Sequence, residues 1–488
     1  MKQKMTGVVH KVTLEQLKEQ ARAIADVPEH YALEIEDFMQ NEAKPESGEA
    51  MFVWSDPETG EGILVTLGKN GDLIDLTVDR EGEENTTVRL LPLSERQKRA
   101  EQFMTKHYPE ALKLFHLTHT NEKRGAVQFT YEQKVMGLPL PHSGCDVKVN
   151  DSGDIVGFTY HGEKPAPDVP AELVSKESLR QHVADSLDLR LQVACLHEEI
   201  YEGGNGKWRL VYEPLPRVVS FRADDGKPLS GGSDEEGEYV SFEPLPELLP
   251  DGGISHGSSI EQLIGVDESQ LERVRELDMG DQLGVVWRDR KWRDDTEDRS
   301  LKGFFDRRTQ DTVKAMIDKK SGRLCSFMWF AERNGDLALT REECLHIALS
   351  FLQQILPEPH RYLRLKRWSD EETDSRREMF TFRLYAGNVP VYLQYVQICV
   401  NRTTGYVDHF TGMDIDPTQL DLVPTSPEVE RETAKAHYLQ ALDFKLAWQK
   451  DDDKGEDAYM LVYKLCHRDT QKTIPFIDAV TGEVICEQ

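Results

Sequence analysis

Two short stretches bring together residue types that could perform metal or phosphate chemistry. HEEIY at 197–201 begins like the HExxH motif of zinc peptidases, but Tyr201 stands where the second histidine would lie, one helical turn on. GGNGKW at 203–208 places glycines beside a lysine without the GxxxxGK[ST] spacing of a phosphate-binding loop. The serine nucleophile motif SxxK is absent from the sequence. The motifs therefore predict no catalytic, cofactor-binding or metal-binding residue.

Two further pairs combine a histidine with a second reactive residue. His116 and His119 in LFHLTHT are three residues apart, as two ligands on one helix face would be, but the stretch has a loop or strand pattern. Cys145 lies close to His142 in PHSGC, and a thiol and a base are the parts of a cysteine nucleophile. Nearness in sequence does not establish nearness in space. We predict structural or exposed roles for these residues, with a Cys/His hydrolase as the alternative.

The charge balance limits the kinds of partner. The chain has 488 residues, with 59 Lys and Arg against 88 Asp and Glu, and its net charge of -29 repels nucleic acid and anionic lipid. Seven cysteines without a CxxC pair predict free thiols in a reducing compartment. The N-terminal MKQKMTGVVHKVTLEQL has no apolar signal segment, and no later stretch has the composition of a membrane span. We expect a cytoplasmic protein without a cofactor, or a cell-envelope protein if a leader has been removed.

The secondary structure that positions these residues is predicted from a hairpin turn that recurs along the chain. A turn with Asn, Asp, Ser or Thr beside a glycine, flanked by alternating apolar residues, predicts a β-hairpin. VNDSGDIVGF at 149–158 and VNRTTGYVDHF at 400–410 are two copies of such a turn. The six copies centre on Gly71, Gly153, Gly226, Gly322, Gly405 and Gly482. Three turns in one half of the chain match three in the other, in order, at separations of 251, 252 and 256 residues.

The middle pair of repeats matches beyond the turn. Residues 128–150 lie without a gap over 379–401, which places Val396 opposite Cys145. Ahead of most strand regions, Ser or Thr marks a helix start, as a capping box or before a proline or an apolar run. These starts are Thr13, Ser94, Ser175, Ser259, Thr340 and Ser426. Each repeat is therefore predicted to be a helix followed by an antiparallel meander of about three strands.

The predicted class is α+β, a tandem array of small units, each a helix packed on a curved antiparallel sheet of about three or four strands. The boundaries follow the turns, the helix starts and an acidic linker rich in Gly and Pro. The predicted segments are repeat 1 (1–90), repeat 2 (91–170), repeat 3 (171–232), the linker (233–258), repeat 4 (259–338), repeat 5 (339–420) and repeat 6 (421–488).

Repeats 2 and 5 share a strand, a bulged segment with Gly and Pro, a long strand and the glycine turn. The shared positions are Phe129, Tyr131, Gly137, Pro139, Val149 and Gly153, and again Phe380, Phe382, Gly387, Pro390, Val400 and Gly405. This pattern resembles the propeptide-type PepSY domains and, more closely, the YcdB/YcdC repeat domain of Gram-positive, spore-forming bacteria. The resemblance implies a small α+β unit. For the wider group it also implies holding or inhibiting a peptidase, or protein contacts at the cell envelope.

Three functions stay open from the sequence. The first is a non-catalytic scaffold or protein-binding protein that uses exposed sheet edges or the concavity between repeats. The second is a PepSY-type inhibitor or chaperone of a peptidase or cell-wall hydrolase, which would make a peptidase or envelope hydrolase the partner. The third is a hydrolase with a site between repeats. The lack of grouped catalytic residues favours the first, in which the protein is not an enzyme.

Overall fold

The chain divides into two compact units. Unit 1 contains Met1–Pro170, Asp295–Arg307 and Ala447–Leu461, and unit 2 contains Ala171–Asp294, Arg308–Leu446 and Val462–Gln488. Of the predicted linker at 233–258, only 241–246 lies within the described residues. The computed structural model describes residues 13–40, 48–79, 90–123, 125–230, 241–246, 259–294, 296–367, 375–413, 415–455 and 457–488.

Unit 1 is built on an antiparallel sheet that joins strands of repeats 1 and 2. Its elements are α1 (Leu14–Ala25), β1 (Ala32–Gln40), β2 (Gly48–Ser55), β3 (Gly62–Gly68), β4 (Leu73–Asp79), α2 (Leu93–His107), α3 (Ala111–Leu114), β5 (His116–Lys123), β6 (Ala126–Glu132), β7 (Lys134–Val135), β8 (Leu138–Pro139), β9 (Gly144–Asn150) and β10 (Ile155–Gly162). The sheet has the order β1-β2-β3-β4-β10-β9-β6-β5, and β7 and β8 pair separately.

The core of unit 1 lies between this sheet and two helices. Side chains alternate between the faces of a strand, so every second residue points to the helices. Phe52, Phe129 and Phe158 are buried on that side, and the ring of Phe158 lies 5.3 Å from that of Phe103 on α2. Burial of each such side chain contributes roughly 1.5–3 kcal/mol. On the opposite face, the side chain of Asp37 on β1 accepts the backbone N–H of Leu301 at 2.9 Å.

Unit 2 contains the remaining elements. They are α4 (Lys176–Ser186), β11 (Asp188–Leu196), β12 (Lys207–Leu215), β13 (Val218–Arg222), β14 (Pro228–Ser230), β15 (Phe242–Pro244), α5 (Ile260–Ile264), β16 (Leu271–Met279), β17 (Gln282–Asp289), α6 (Leu301–Thr309), β18 (Thr312–Asp318), β19 (Leu324–Trp329), α7 (Arg341–Ile355), α8 (Pro359–Tyr362), β20 (Leu363–Lys366), β21 (Arg377–Ala386), β22 (Val389–Asn401), β23 (Val407–Thr411), a 3-10 helix (Pro417–Leu422), α9 (Arg431–Ala441), β24 (Leu442–Lys450), β25 (Tyr459–His467), β26 (Phe476–Asp478) and β27 (Val484–Ile485). Parts of α6, β24 and β25 belong to unit 1.

Unit 2 repeats the strand order of unit 1. The series β16-β17-β18-β19-β23-β22-β21-β20 matches β1-β2-β3-β4-β10-β9-β6-β5 strand for strand. In unit 2, β15 is added beside β20, and β22 also pairs in parallel with β11 at Val391 and Val193. The result is a 13-stranded sheet that continues through β11, β12, β26 and β27. The predicted α+β class with tandem repetition is confirmed.

Repeats 3 and 6 exchange hairpins. The hairpin β11–β12 of repeat 3 pairs with β26–β27 of repeat 6, with Val211 opposite Asp478. Conversely, the hairpin β24–β25 of repeat 6 pairs with β13–β14 of repeat 3, with Phe221 opposite Tyr463. Each of these two layers therefore combines strands from both halves of the chain. A local hairpin pattern in the sequence is the same with or without such an exchange.

The six repeated glycines lie in turns with positive φ, from 68° at Gly322 to 91° at Gly153. In the turns at 318–323, 401–406 and 478–483, the glycine N–H donates to the carbonyl of the first residue. The side chain of that Asp or Asn accepts further backbone N–H groups. For a residue with a Cβ atom, this conformation is less stable by roughly 1–2 kcal/mol. Gly137 and Gly387 also have positive φ, close to Pro139 and Pro390.

The capping signals locate some helix starts and miss others. Thr13 and Thr340 form capping boxes in which the side chain of the third helical residue binds back to the cap backbone. Ser94 does not cap a helix, because α2 already begins at Leu93, after Pro92, without a side-chain cap.

The last helix also starts later than predicted. It begins at Arg431 rather than just after Ser426. The N–H groups of Glu428 and Val429 both donate to the carbonyl of Ala479. This long-range pairing holds the stretch outside the helix, so tertiary contacts override the local proline signal.

Candidate functional site

The two faces of the 13-stranded sheet differ in what covers them. On one face, Phe327 of β19 and Phe410 of β23 pack on Phe351 of α7, at ring distances of 5.8 and 5.4 Å. Because side chains alternate along a strand, Met328 and His409 point to the opposite face. We call that face, over β16–β19 and β21–β23, the outer face.

Two neighbouring rows of directly paired residues cross seven strands of the outer face. The first row is Arg275, Val286, Lys314, Met328, His409, Cys399 and Met379. The second row is Leu277, Gly284, Met316, Ser326, Thr411, Gln397 and Thr381. Neither row contains an acidic residue, although Asp and Glu make up 88 of the 488 residues of the chain. We call these the outer rows.

The outer rows expose apolar side chains beside positive charges. Met379 is 47% exposed, Leu277 44% and Met328 37%. The Nζ of Lys314 lies 4.9 Å from the ring of the exposed Phe330. Burial, and then the positive charges of nearby arginines, lowers the pKa of Lys314. Methionine is flexible and polarizable, so exposed methionines suit a surface that adapts to a bound chain.

The corresponding rows of unit 1 contain acidic residues. Asp75 and Asp146 lie where unit 2 has Ser326 and Gln397. Thr159 donates to Asp75 Oδ2 at 2.8 Å, and a ring nitrogen of His161 lies 2.9 Å from Asp146 Oδ2. Burial raises the pKa of Asp146, but hydrogen bonds from His161, Thr130 and Gln128 outweigh it and hold the pKa below its usual value. The outer rows of unit 2 therefore lack the carboxylates that unit 1 has at these positions.

The outer face ends at an open strand edge. Among the described residues, β16 pairs with β17 alone, and it exposes Val274, Leu277 and Met279. Alternate residues of an antiparallel edge strand direct their N–H and C=O groups away from the sheet. The matching edge of unit 1 is engaged: Glu36 N–H of β1 donates to the carbonyl of Arg299 at 2.9 Å. An extended chain could pair with β16 in the same manner.

The residues first considered for chemistry do not form a site. Cys145 is buried on β9, and burial raises its pKa to about 12, so the thiol is a poor nucleophile. His116 and His119 lie on strand β5, not on a helix, and Tyr201 packs 5.8 Å from the ring of Phe476. The glycines at 203–206 lie in the connection from β11 to β12. No group of three His, Cys, Asp or Glu residues in the described part of the chain could hold a metal ion.

The sequence patterns mark strands β18, β19 and β21–β23 of the outer face but not the face itself. The gapless match of 128–150 with 379–401 already sets Gln128 on Met379 and Asp146 on Gln397. The first replacement exchanges a polar for an apolar side chain and the second removes a charge, and such changes at exposed strand positions were the available signal of a changed surface. Which other strands lie beside them depends on sheet order, which the match does not contain.

Matched strand orders with helices on one sheet face define a tandem-repeat α+β protein. The chain belongs to the YcdB/YcdC repeat family: the family model described as "YcdB, YcdC repeated domain" matches residues 14–162 and 257–414. The predicted resemblance to that family is thereby confirmed.

Two proteins of Bacillus subtilis (strain 168) are similar to the chain over nearly its whole length. YcdB is 33% identical over 482 residues, which cover 97% of this chain and 98% of YcdB. YcdC is 33% identical over 451 residues, which cover 92% of this chain and 95% of YcdC. Both are described as uncharacterized proteins.

A comparison with solved structures finds the C-terminal domain of YpeB from Bacillus megaterium. The likeness has a TM-score of 0.27 and 15% identity, and it covers 45% of this chain and 96% of that domain. Among the helices of the described residues, none combines the length and the hydropathy needed to cross a membrane.

Proposed function

We propose that the protein is a non-catalytic binding protein whose outer face and β16 edge receive an extended segment of a partner protein. The segment we expect carries acidic and apolar side chains together on one face of the added strand. The observation that carries this proposal is the pair of outer rows, which hold exposed methionines and two cations but no acidic residue.

The charge pattern favours an acidic partner. A net charge of -29 repels acidic chains from most of the surface. Arg275 and Lys314 lie in one outer row, and Arg288 lies beside them on β17. Exposed ion pairs contribute only about 0.2–1 kcal/mol each, so they mainly select and orient the partner. Affinity would come from apolar contact, at roughly 25 cal/mol for each Å² removed from water.

The open edge favours an extended partner. Strand addition satisfies backbone groups along a whole edge, and alternate side chains of the added strand then face the outer rows. A Leu or Met from the partner would meet Leu277 and Met279, and a carboxylate would meet Arg275. The resemblance to propeptide-type repeats makes peptidases and envelope hydrolases the partner class to test first.

A non-catalytic role is supported by the state of the cysteines. Cys399 lies in an outer row, but it is buried, and burial raises its pKa to about 11. A thiol with a raised pKa stays protonated at neutral pH and reacts slowly. Burial also raises the pKa of the Cys145 thiol, which argues against the Cys/His hydrolase alternative.

Hydrogen exchange tests this proposal. The probe is a synthetic peptide of strand length with threonine at every second position and leucine and glutamate in turn at the positions between, so that leucine and glutamate share one face. The control peptide replaces glutamate with lysine. We expect the acidic peptide to slow the exchange of the β16 amides, because strand addition hydrogen-bonds them. Strand β5 is the internal control, since it also pairs with one strand only among the described residues. Equal protection of β5 and β16, or equal effects of both peptides, would contradict the proposal.

A further inference from the structure

A buried polar cluster surrounds Glu213 on β12. Its side chain is only 5% exposed. It accepts hydrogen bonds from Arg190 Nη2 at 2.8 Å and from Arg217 Nε at 2.5 Å, and it also accepts from the side-chain amide of Gln192. Both carboxylate oxygens are therefore already occupied by donors.

A third arginine joins this cluster without a carboxylate of its own. Arg383 on β21 is 7% exposed, and its Nη2 donates to Gln192 Oε1 at 3.0 Å. Its buried Nε has no hydrogen-bond partner. The rings of Phe242 and Tyr395 lie 5.8 and 5.7 Å from the guanidinium. No carboxylate of the described residues forms an ion pair with Arg383.

The cluster carries more positive than negative charge. Arg190 and Arg217 pair with the one carboxylate of Glu213, and Arg383 joins them through Gln192, so the cluster holds three guanidinium groups and one carboxylate. Aromatic faces attract a cation but do not satisfy an N–H donor. A buried charge without a counter-ion is strongly unfavourable. Burial accordingly lowers the pKa of Arg383.

We infer that this cluster is an oxyanion site, in which Arg383 Nε donates to a carboxylate or phosphoryl oxygen. A guanidinium presents parallel N–H groups that match the oxygens of either group. The bound anion would supply the missing negative charge and the missing acceptor together. This site goes beyond the proposed function and does not depend on it, because none of its residues lies in the outer rows.

Calorimetric titration of the full chain tests the site. The probes are inorganic phosphate and acetate, each at the same ionic strength as a sodium chloride reference. We expect saturable binding of at least one probe, and a dissociation constant about tenfold or more weaker in Arg383→Met, because a charge-assisted hydrogen bond is lost. Binding of phosphate alone would identify a phosphoryl ligand, and binding of acetate alone a carboxylate ligand.

Two further variants distinguish loss of the anion site from a change in folding. Arg364→Met is the matched control, because Arg364 also stacks on a tyrosine, with 4.1 Å to Tyr385, and donates to Asn388. It should bind the probe as the unmodified protein does. Arg383→Lys keeps the charge but loses the Nε donor, so it should fold and still bind more weakly. No saturable binding to the unmodified protein, or equal weakening in the Arg364 and Arg383 variants, would overturn the inference.

Discussion

When the chain is cut between residues 230 and 241, the two pieces should remain bound to each other. Each piece produced alone should fold only in part. The reason is the hairpin exchange between repeats 3 and 6. One buried cluster contains Tyr201 and Val211 from the first piece and Phe476 and Ile485 from the second. Separation would expose these side chains, each of which contributes roughly 1.5–3 kcal/mol when buried.

Affinity purification of one tagged piece measures this directly. After co-production, the untagged piece should be recovered in equal amount. Pieces produced separately should bind an apolar dye and lose this dye binding when mixed. Two independently folded pieces that elute apart would show that the strands do not exchange.

Replacing Asp408 with alanine should destabilise unit 2 by about 3–5 kcal/mol, because it leaves buried arginine charge without a partner. Asp408 is 2% exposed. Its Oδ1 accepts from Arg333 Nε at 2.9 Å, and its Oδ2 accepts from Arg377 Nε at 2.9 Å and from Asn401 at 3.0 Å. Arg333 also stacks on Trp329 at 3.9 Å, so it cannot easily turn to solvent.

Urea unfolding of the full chain measures the loss as a shift of the transition midpoint. The matched control is Asp278→Ala, since Asp278 also pairs with a cation, Lys319 at 2.6 Å, but its side chain is 72% exposed. That control should leave the midpoint essentially unchanged. Equal shifts in the two variants would mean that the buried network around Asp408 contributes no more than a surface pair.

Much of the fold could be predicted because its signals are local. The glycine turns and the capping boxes at Thr13 and Thr340 depend on a few neighbouring residues. The late start of α9 and the hairpin exchange could not be predicted, because both depend on backbone pairing with strands far along the chain. Local patterns leave strand partners undetermined.

The candidate site was less predictable than the fold. Met328 and Met379 lie far apart in the sequence. Only the strand order β19-β23-β22-β21 brings them into one row on one face. The Arg383 cluster likewise combines β21 with β11 and β12. Catalytic motifs are short and local, whereas a binding face is assembled from many strands, so its residues had no motif to mark them.

The central claim is that unit 2 binds a partner through a face that its counterpart in unit 1 lacks. The most direct test compares Met279→Asp on the β16 edge with Met39→Asp, the same strand position in unit 1, by titration with the acidic peptide. We predict that Met279→Asp raises the dissociation constant about tenfold or more, through lost apolar contact and added repulsion, and that Met39→Asp leaves it unchanged. Equal dissociation constants for the two variants would contradict the account.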